Sequence, residues 1–92
     1  MEIRRADANK PKGKVTAKAT SGTLAAANAY RVALYVSNPS SKEVWLALGA
    51  TAVKEEGIWL KKESGSVTIN NYTGIVTCVT TEGEGTITYA EV

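Results

Sequence analysis

Hydrophobic and polar residues alternate along most of the chain with a period of two, which is typical of strands that bury one face. The clearest case is residues 30–37, YRVALYVS, in which three aliphatic side chains fall on one side of a strand. These core candidates are Val32, Leu34 and Val36. Arg31, Ala33, Tyr35 and Ser37 fall on the other side, which we expect to face outward.

A second alternating segment follows at residues 43–49, EVWLALG, after the strong turn residues of 38–42. Its pattern places Val44, Leu46 and Leu48 in the core, and Trp45 and Ala47 outside. Because only a short loop separates the two segments, the sequence predicts that they pair as a β-hairpin.

Further segments have strand character, and the sequence predicts strands over 14–20, 58–61, 66–70, 75–81 and 86–92. Residues 75–81, IVTCVTT, are apolar or β-branched almost throughout, which predicts a central strand covered on both faces. Cys78 is then a buried structural thiol. Residues 23–29, TLAAANA, leave three alternatives open: a single helical turn, a loop or a bent sheet edge.

Seven predicted strands, separated by turn residues and without a helix-length crossover, indicate an all-β protein. The 92-residue length fits one domain. We therefore expect a small antiparallel β-sandwich or a partly open barrel over residues 14–92. Residues 1–13 are polar and broken by Pro11 and Gly13, and they are predicted to form an extended, flexible N-terminal arm.

The N-terminal part of the chain, which includes the predicted arm, is basic: residues 1–18 carry a net charge of +4 and the remaining residues carry −2. Its candidate contact residues are Arg4, Arg5, Lys10 and Lys12. Such an arm suits an acidic partner surface, a protein on which it folds, or the sheet edge of a neighbouring subunit. We do not expect a nucleic-acid partner, because the net charge is only +2 and the domain lacks a basic–aromatic face.

Catalytic and metal-binding residue types are scarce. The sequence has no histidine and one cysteine, which excludes Ser-His-Asp and Cys-His arrangements and zinc-finger spacing. Glu43 and Glu91, at strand ends, are the candidates for a carboxylate pair. We expect no enzymatic activity, no cofactor and no metal. Without an apolar signal segment or an 18-residue apolar run, we expect synthesis in the cytoplasm and no membrane partner.

Three aromatic residues are the candidate binding residues. The alternation directs Trp45 and Trp59 away from the core, with Tyr35 as their neighbour on the same outer surface. Exposed aromatic side chains of this kind suit a subunit interface or a platform on which sugar rings stack. A reversed strand register, or residues 21–29 folded over the patch, would instead bury them.

Several short motifs mark the turns between the predicted strands. They are Leu48-Gly49, Gly57-Ile58-Trp59-Leu60, Ser64-Gly65-Ser66-Val67-Thr68, Tyr72-Thr73-Gly74 and the final Glu91-Val92. In this order they resemble a group of small β-domains from tailed bacteriophages and prophages, and the resemblance covers residues 30–92. It does not extend to the first 29 residues.

That resemblance implies a structural protein of the virion, such as a capsid decoration or head-associated protein. The expected partners are further copies of the chain, in a homo-oligomer, and other phage structural proteins such as a capsid protein. A receptor- or carbohydrate-binding module of a phage tail or fibre is the alternative.

Overall fold

The computed structural model of the protein describes residues 12–92, which form eight β-strands in two antiparallel sheets. The strands are β1 Lys12–Ala17, β2 Gly22–Ala25, β3 Ala33–Asn38, β4 Val44–Leu48, β5 Ile58–Leu60, β6 Gly65–Asn70, β7 Val76–Thr80 and β8 Gly85–Glu91. Sheet A has the order β1-β8-β3-β6 and sheet B the order β2-β7-β4-β5. The all-β prediction is confirmed, and the two separate sheets make it a sandwich.

Consecutive strands mostly change sheets, and only β4 and β5 follow each other within one sheet. This strand order is that of a jelly roll, in which eight strands form two facing sheets. The predicted hairpin between residues 30–37 and 43–49 is therefore wrong, because β3 lies in sheet A and β4 lies in sheet B. Turn residues indicate where a chain reverses, but they do not decide whether the returning strand pairs with the previous one or crosses to the facing sheet.

The hydrophobic core lies between the two sheets. Its fully buried side chains include Leu34, Val36, Val44, Leu46, Leu60, Val76, Cys78 and Ile87. Every residue of β7 is buried, which confirms the central strand predicted from IVTCVTT and the buried thiol of Cys78. The core is thus built from side chains that strand alternation brings to the inner faces of both sheets.

The predicted alternation fails at the start of β3. Arg31 is 3% exposed although it was predicted to face outward, and Val32 is 54% exposed although it was predicted to be in the core. The strand begins only at Ala33, so the period of two does not apply to the residues before it. Leu48, predicted to be in the core, is exposed because it ends β4.

Two strand boundaries also differ from the prediction. Residues 22–25 form an edge strand whose register shifts between Thr23 and Ala25, which confirms the bent-edge alternative. The first strand covers Lys12–Ala17 instead of 14–20, so Lys12 and Gly13 pair with β8 although they were predicted to belong to the arm. Arg4, Arg5 and Lys10 lie outside the described residues.

Candidate interaction surface

Trp45 and Trp59 form a cross-strand pair on the outer face of sheet B. They lie directly opposite each other in the antiparallel register of β4 and β5. Their ring centroids are 5.9 Å apart and the ring planes are inclined by 18°, so the indoles stack. The alternation around Val44, Leu46 and Leu60, which points those residues into the core, places both tryptophans outside. The prediction that they share one outer surface is confirmed.

Polar neighbours hold both indoles in place. The Trp45 Nε1–H donates to Thr81 Oγ1 at 3.2 Å, and the Trp59 Nε1–H donates to Glu43 Oε1 at 2.6 Å. The backbone N–H of Lys62 also donates to Glu43 Oε1, at 3.3 Å. Because both indole N–H groups have acceptors within the chain, the pair offers a partner mainly ring surface. We call these two indoles, with Glu43 and Thr81 at their rim, the tryptophan surface.

The two tryptophans differ in burial. Trp59 is 53% exposed on the edge strand β5, whereas Trp45 lies inside the sheet and is half-buried. Val79 pairs with Trp45 on the outer face and is only 2% exposed, outside the core cluster between the sheets. Trp45 thus belongs to a small apolar layer of the fold. Trp59 provides most of the accessible ring surface of the tryptophan pair.

Tyr35 was predicted to be a neighbour of the tryptophans, and that prediction is wrong. It lies on β3 and points outward from sheet A, whereas both tryptophans point outward from sheet B, on the opposite face of the sandwich. It is 46% exposed. The separation follows from the crossing of the chain between sheets after β3, which removes the hairpin that would have joined the three residues.

The outer face of sheet A has a different character from the tryptophan surface. Register partners on its four strands place hydroxyl and amide side chains around Tyr35. These outward positions are Thr16, Ser37, Ser66, Thr68, Asn70, Thr86 and Thr88. Lys14 of β1 is the charged residue among the described outward positions, so most of this face is polar and uncharged.

A buried ion pair, missed by the sequence analysis, joins the start of β3 to the end of β8. Arg31 Nη2 lies 2.8 Å from Glu91 Oε2, and Arg31 Nε donates to the same oxygen at 2.8 Å. The remaining donors bond to the backbone oxygens of Tyr72, Gly74 and Ala26. This cluster ties the β2–β3 loop and the β6–β7 loop to the end of β8, and all the guanidinium donors are hydrogen-bonded, so it has a structural role.

The predicted carboxylate pair is not assembled. Glu91 pairs with Leu34 near the start of β3, whereas Glu43 lies beyond the end of that strand, at the other end of the sandwich. Within residues 12–92, no group of three or more Cys, Asp or Glu side chains is placed to hold a metal ion. The same residues contain no helix long and apolar enough to cross a membrane.

A shallow groove of about 440 Å³ lies on the same outer face as the tryptophans, beside β2. Its lining is uncharged and consists of Ser21, Gly22, Thr23, Gly49, Ala50, Thr51, Ile75 and Thr77. Two of its hydroxyl groups already hold the adjacent loop: Thr77 Oγ1 donates to Ala50 O at 2.6 Å, and Ser21 Oγ accepts from Ala52 N at 2.9 Å. The groove therefore lies where the loop between β4 and β5 packs against sheet B.

Comparison of the chain with protein-family models, with curated proteins and with solved structures gives no match.

Proposed function

We propose that the protein is a non-enzymatic structural protein of a tailed-phage virion, a capsid decoration or head-associated protein that acts through protein–protein assembly. The observation that carries the proposal is the tryptophan surface. A stacked indole pair, more than half exposed at Trp59, presents ring area whose polar atoms are already bonded within the chain. Aromatic residues of this kind are enriched at the centres of protein interfaces.

The fold adds a weaker argument. Eight-stranded jelly rolls occur in viral capsid and lectin domains, and two facing sheets leave their outer faces and edges available for neighbours. A fold does not by itself imply a function, but the jelly roll agrees with the resemblance of residues 30–92 to small phage β-domains. Under the proposal, further copies of the chain and a capsid protein are the partners.

A carbohydrate- or receptor-binding module of a phage tail or fibre is the second candidate, and one observation favours it. The exposed Trp59 ring lies beside the Glu43 carboxylate, which combines a stacking surface with a hydrogen-bond acceptor. Saturable quenching of tryptophan fluorescence by a host cell-wall glycan would support this alternative. Loss of that quenching in Trp59→Ala, with Tyr35→Ala unchanged, would assign the glycan to sheet B.

The proposed virion role is tested by quantitative mass spectrometry of particles purified by density gradient from a culture producing the phage that carries this sequence. We expect the chain to co-purify with the particles at a fixed ratio to the major capsid protein. Removal by high salt or by a denaturant below the unfolding midpoint of the capsid would identify it as a surface component. Its absence from purified particles, with abundant protein in the lysate, would contradict the proposal.

A further inference from the structure

The sandwich has four edge strands, and three of them carry features that discourage pairing with another chain. Edge strands are commonly protected by lysines, by bulges or by short length. β1 carries the exposed Lys14, β2 has an irregular register at Thr23, and β5 is only three residues long. Each of these devices makes the continuous addition of another strand less favourable.

The fourth edge strand, β6, has none of these features. Its six residues, GSVTIN, include no charged residue and no proline, and their register with β3 is uninterrupted from Gly65 to Asn70. Within the described chain, β3 is its single neighbour in sheet A. A regular, uncharged and unprotected edge of this length is a template for pairing with another strand.

The ladder between β3 and β6 identifies which backbone groups face outward at this edge. Asn71 N–H donates to Val32 O at 2.8 Å, in the same register as the pairs Leu34–Ile69 and Val36–Val67. Antiparallel ladders alternate between bonded and non-bonded pairs, so the odd-numbered residues of β6 bond to β3. The N–H and C=O groups of Ser66, Thr68 and Asn70 therefore point away from the sheet.

Ala33 supports this assignment from the other side of β3. Its N–H and C=O groups exchange hydrogen bonds with Val92, at 3.3 and 3.0 Å. They are consequently turned away from Asn70, which is the register partner of Ala33 on β6.

A second copy of the same chain fits this edge. Antiparallel pairing of a strand with itself places like residues near a two-fold axis, which is unfavourable for a charged strand such as β1 and acceptable for β6. The inner and outer faces of the sheet continue into the second copy only if even-numbered residues lie opposite even-numbered residues and odd-numbered opposite odd-numbered. With Thr68 on the axis, Val67 meets Ile69 of the second copy and Ser66 meets its Asn70.

We propose that two copies of this chain pair antiparallel through β6, with Thr68 at the two-fold axis, and form one continuous eight-stranded sheet. The pairs Ser66–Asn70, Thr68–Thr68 and Asn70–Ser66 each exchange two hydrogen bonds, which satisfies every outward backbone group of these residues. Half-buried Val67 gains an apolar neighbour. The inference rests on the proposed function only for the premise that the chain is an assembly protein.

The test is the solution mass of the full chain, measured by light scattering after size exclusion over a dilution series. We expect a dimer whose mean mass falls on dilution. Thr68→Lys should raise the dimer dissociation constant by about tenfold or more, because it opposes two like charges across the axis. Thr16→Lys is the matched control, since Thr16 is exposed on the same outer face at the opposite edge of sheet A. It should leave the mass unchanged.

Mixing Thr68→Lys with Thr68→Glu separates a direct contact from a fold defect. Each variant alone should be mainly monomeric, and an equimolar mixture should recover the dimer mass because opposite charges then meet at the axis. A wild-type monomer at every soluble concentration would overturn the pairing, as would a Thr68→Lys dimer of unchanged affinity. Neither result would affect the detection of the chain in purified particles, so failure of the pairing and failure of the virion role are distinguishable.

Discussion

Arg31 has the most demanding environment of any side chain in the described structure. Its guanidinium is removed from water, yet Glu91 and three backbone oxygens accept all its hydrogen bonds. A buried charge of this kind is tolerated only while its partners remain, because an unpaired ion in the interior has lost its hydration without compensation. Removing Arg31 should therefore destabilise the loops around β3 and β8 strongly, although the intact ion pair adds little net stability.

Replacing Arg31 tests this interpretation of the ion pair. Arg31→Met should lower the free energy of unfolding by about 3–5 kcal/mol, because it leaves the buried Glu91 carboxylate without its counter-charge and three backbone carbonyl groups without their donors. Urea denaturation followed by tryptophan fluorescence measures the change. Lys14→Met, at an exposed position, is the control and should change stability by less than about 0.5 kcal/mol. A loss below about 1 kcal/mol for Arg31→Met would contradict the structural role.

Cys78 gives a prediction about pH. Burial raises the pKa of its thiol from the ordinary value of 9.0 to about 11, because the core disfavours the thiolate. The folded protein therefore keeps the proton longer than the unfolded chain, and stability is lost as the pH rises from about 9 to about 11. Below pH 9 this loss is absent, since the thiol is protonated in both states.

Comparing the wild type with Cys78→Ala separates the contribution of the Cys78 thiol to the pH dependence of stability from that of other groups that titrate at high pH. The difference in unfolding free energy, wild type minus variant, should decrease between pH 9 and pH 11. The native thiol should also react with a disulfide reagent at pH 8 only at the rate of local or global unfolding. Rapid labelling of the native protein, or parallel pH profiles for the two chains, would show that Cys78 is accessible.

At the scale of elements, the tryptophan pair joins the edge strand β5 to β4. Trp45→Ala should cost about 2–3 kcal/mol, because it uncovers Val79 and leaves the Thr81 hydroxyl without its donor. Trp59→Ala should cost about 1 kcal/mol or less, since more than half of that side chain is exposed.

A double-mutant cycle of Trp45→Ala and Trp59→Ala, measured by urea denaturation, should give a coupling energy of about 0.5–1.5 kcal/mol for the stack. Additive effects would indicate that the rings do not interact in solution.

The turn into β5 depends on Gly57. Its φ is +91°, and a Cβ at this position would overlap the carbonyl oxygen of Leu46. Gly57→Ala should therefore lower the unfolding free energy by at least about 2 kcal/mol and disturb the edge that carries Trp59. Gly22→Ala is the matched control, because a Cβ there meets no atom within 4 Å. Equal stabilities of the two variants would show that the turn has another conformation.

The sequence was sufficient to predict most strands but not how they are arranged. Alternation is a local property, so it located β3, β4 and β6 and directed Trp45 and Trp59 outward. Sheet membership depends on contacts between distant segments, and local pattern therefore could not separate Tyr35 from the tryptophans. Arg31 was misplaced for a similar reason, since its burial depends on Glu91, sixty residues further along the chain.

At the scale of the whole molecule, the two outer faces have different surfaces available for partners. Sheet B presents the tryptophan surface, and sheet A presents hydroxyl groups with the unprotected edge β6. A protein that both self-associates and attaches to a larger particle needs two such non-overlapping surfaces. We therefore expect β6 to join copies of the chain and the tryptophan surface to contact the particle.

Incorporation of variants into particles tests this account most directly. In the phage that the proposed virion role implies, Trp59→Ser or Tyr35→Ser is introduced into the gene for this chain, and the chain is quantified in purified particles by mass spectrometry. Both residues are exposed aromatics on opposite faces, so both variants should fold, which circular dichroism checks. The account predicts that Trp59→Ser is depleted from particles at least about tenfold while Tyr35→Ser is retained. Equal incorporation of the two folded variants, or depletion of Tyr35→Ser alone, would contradict it.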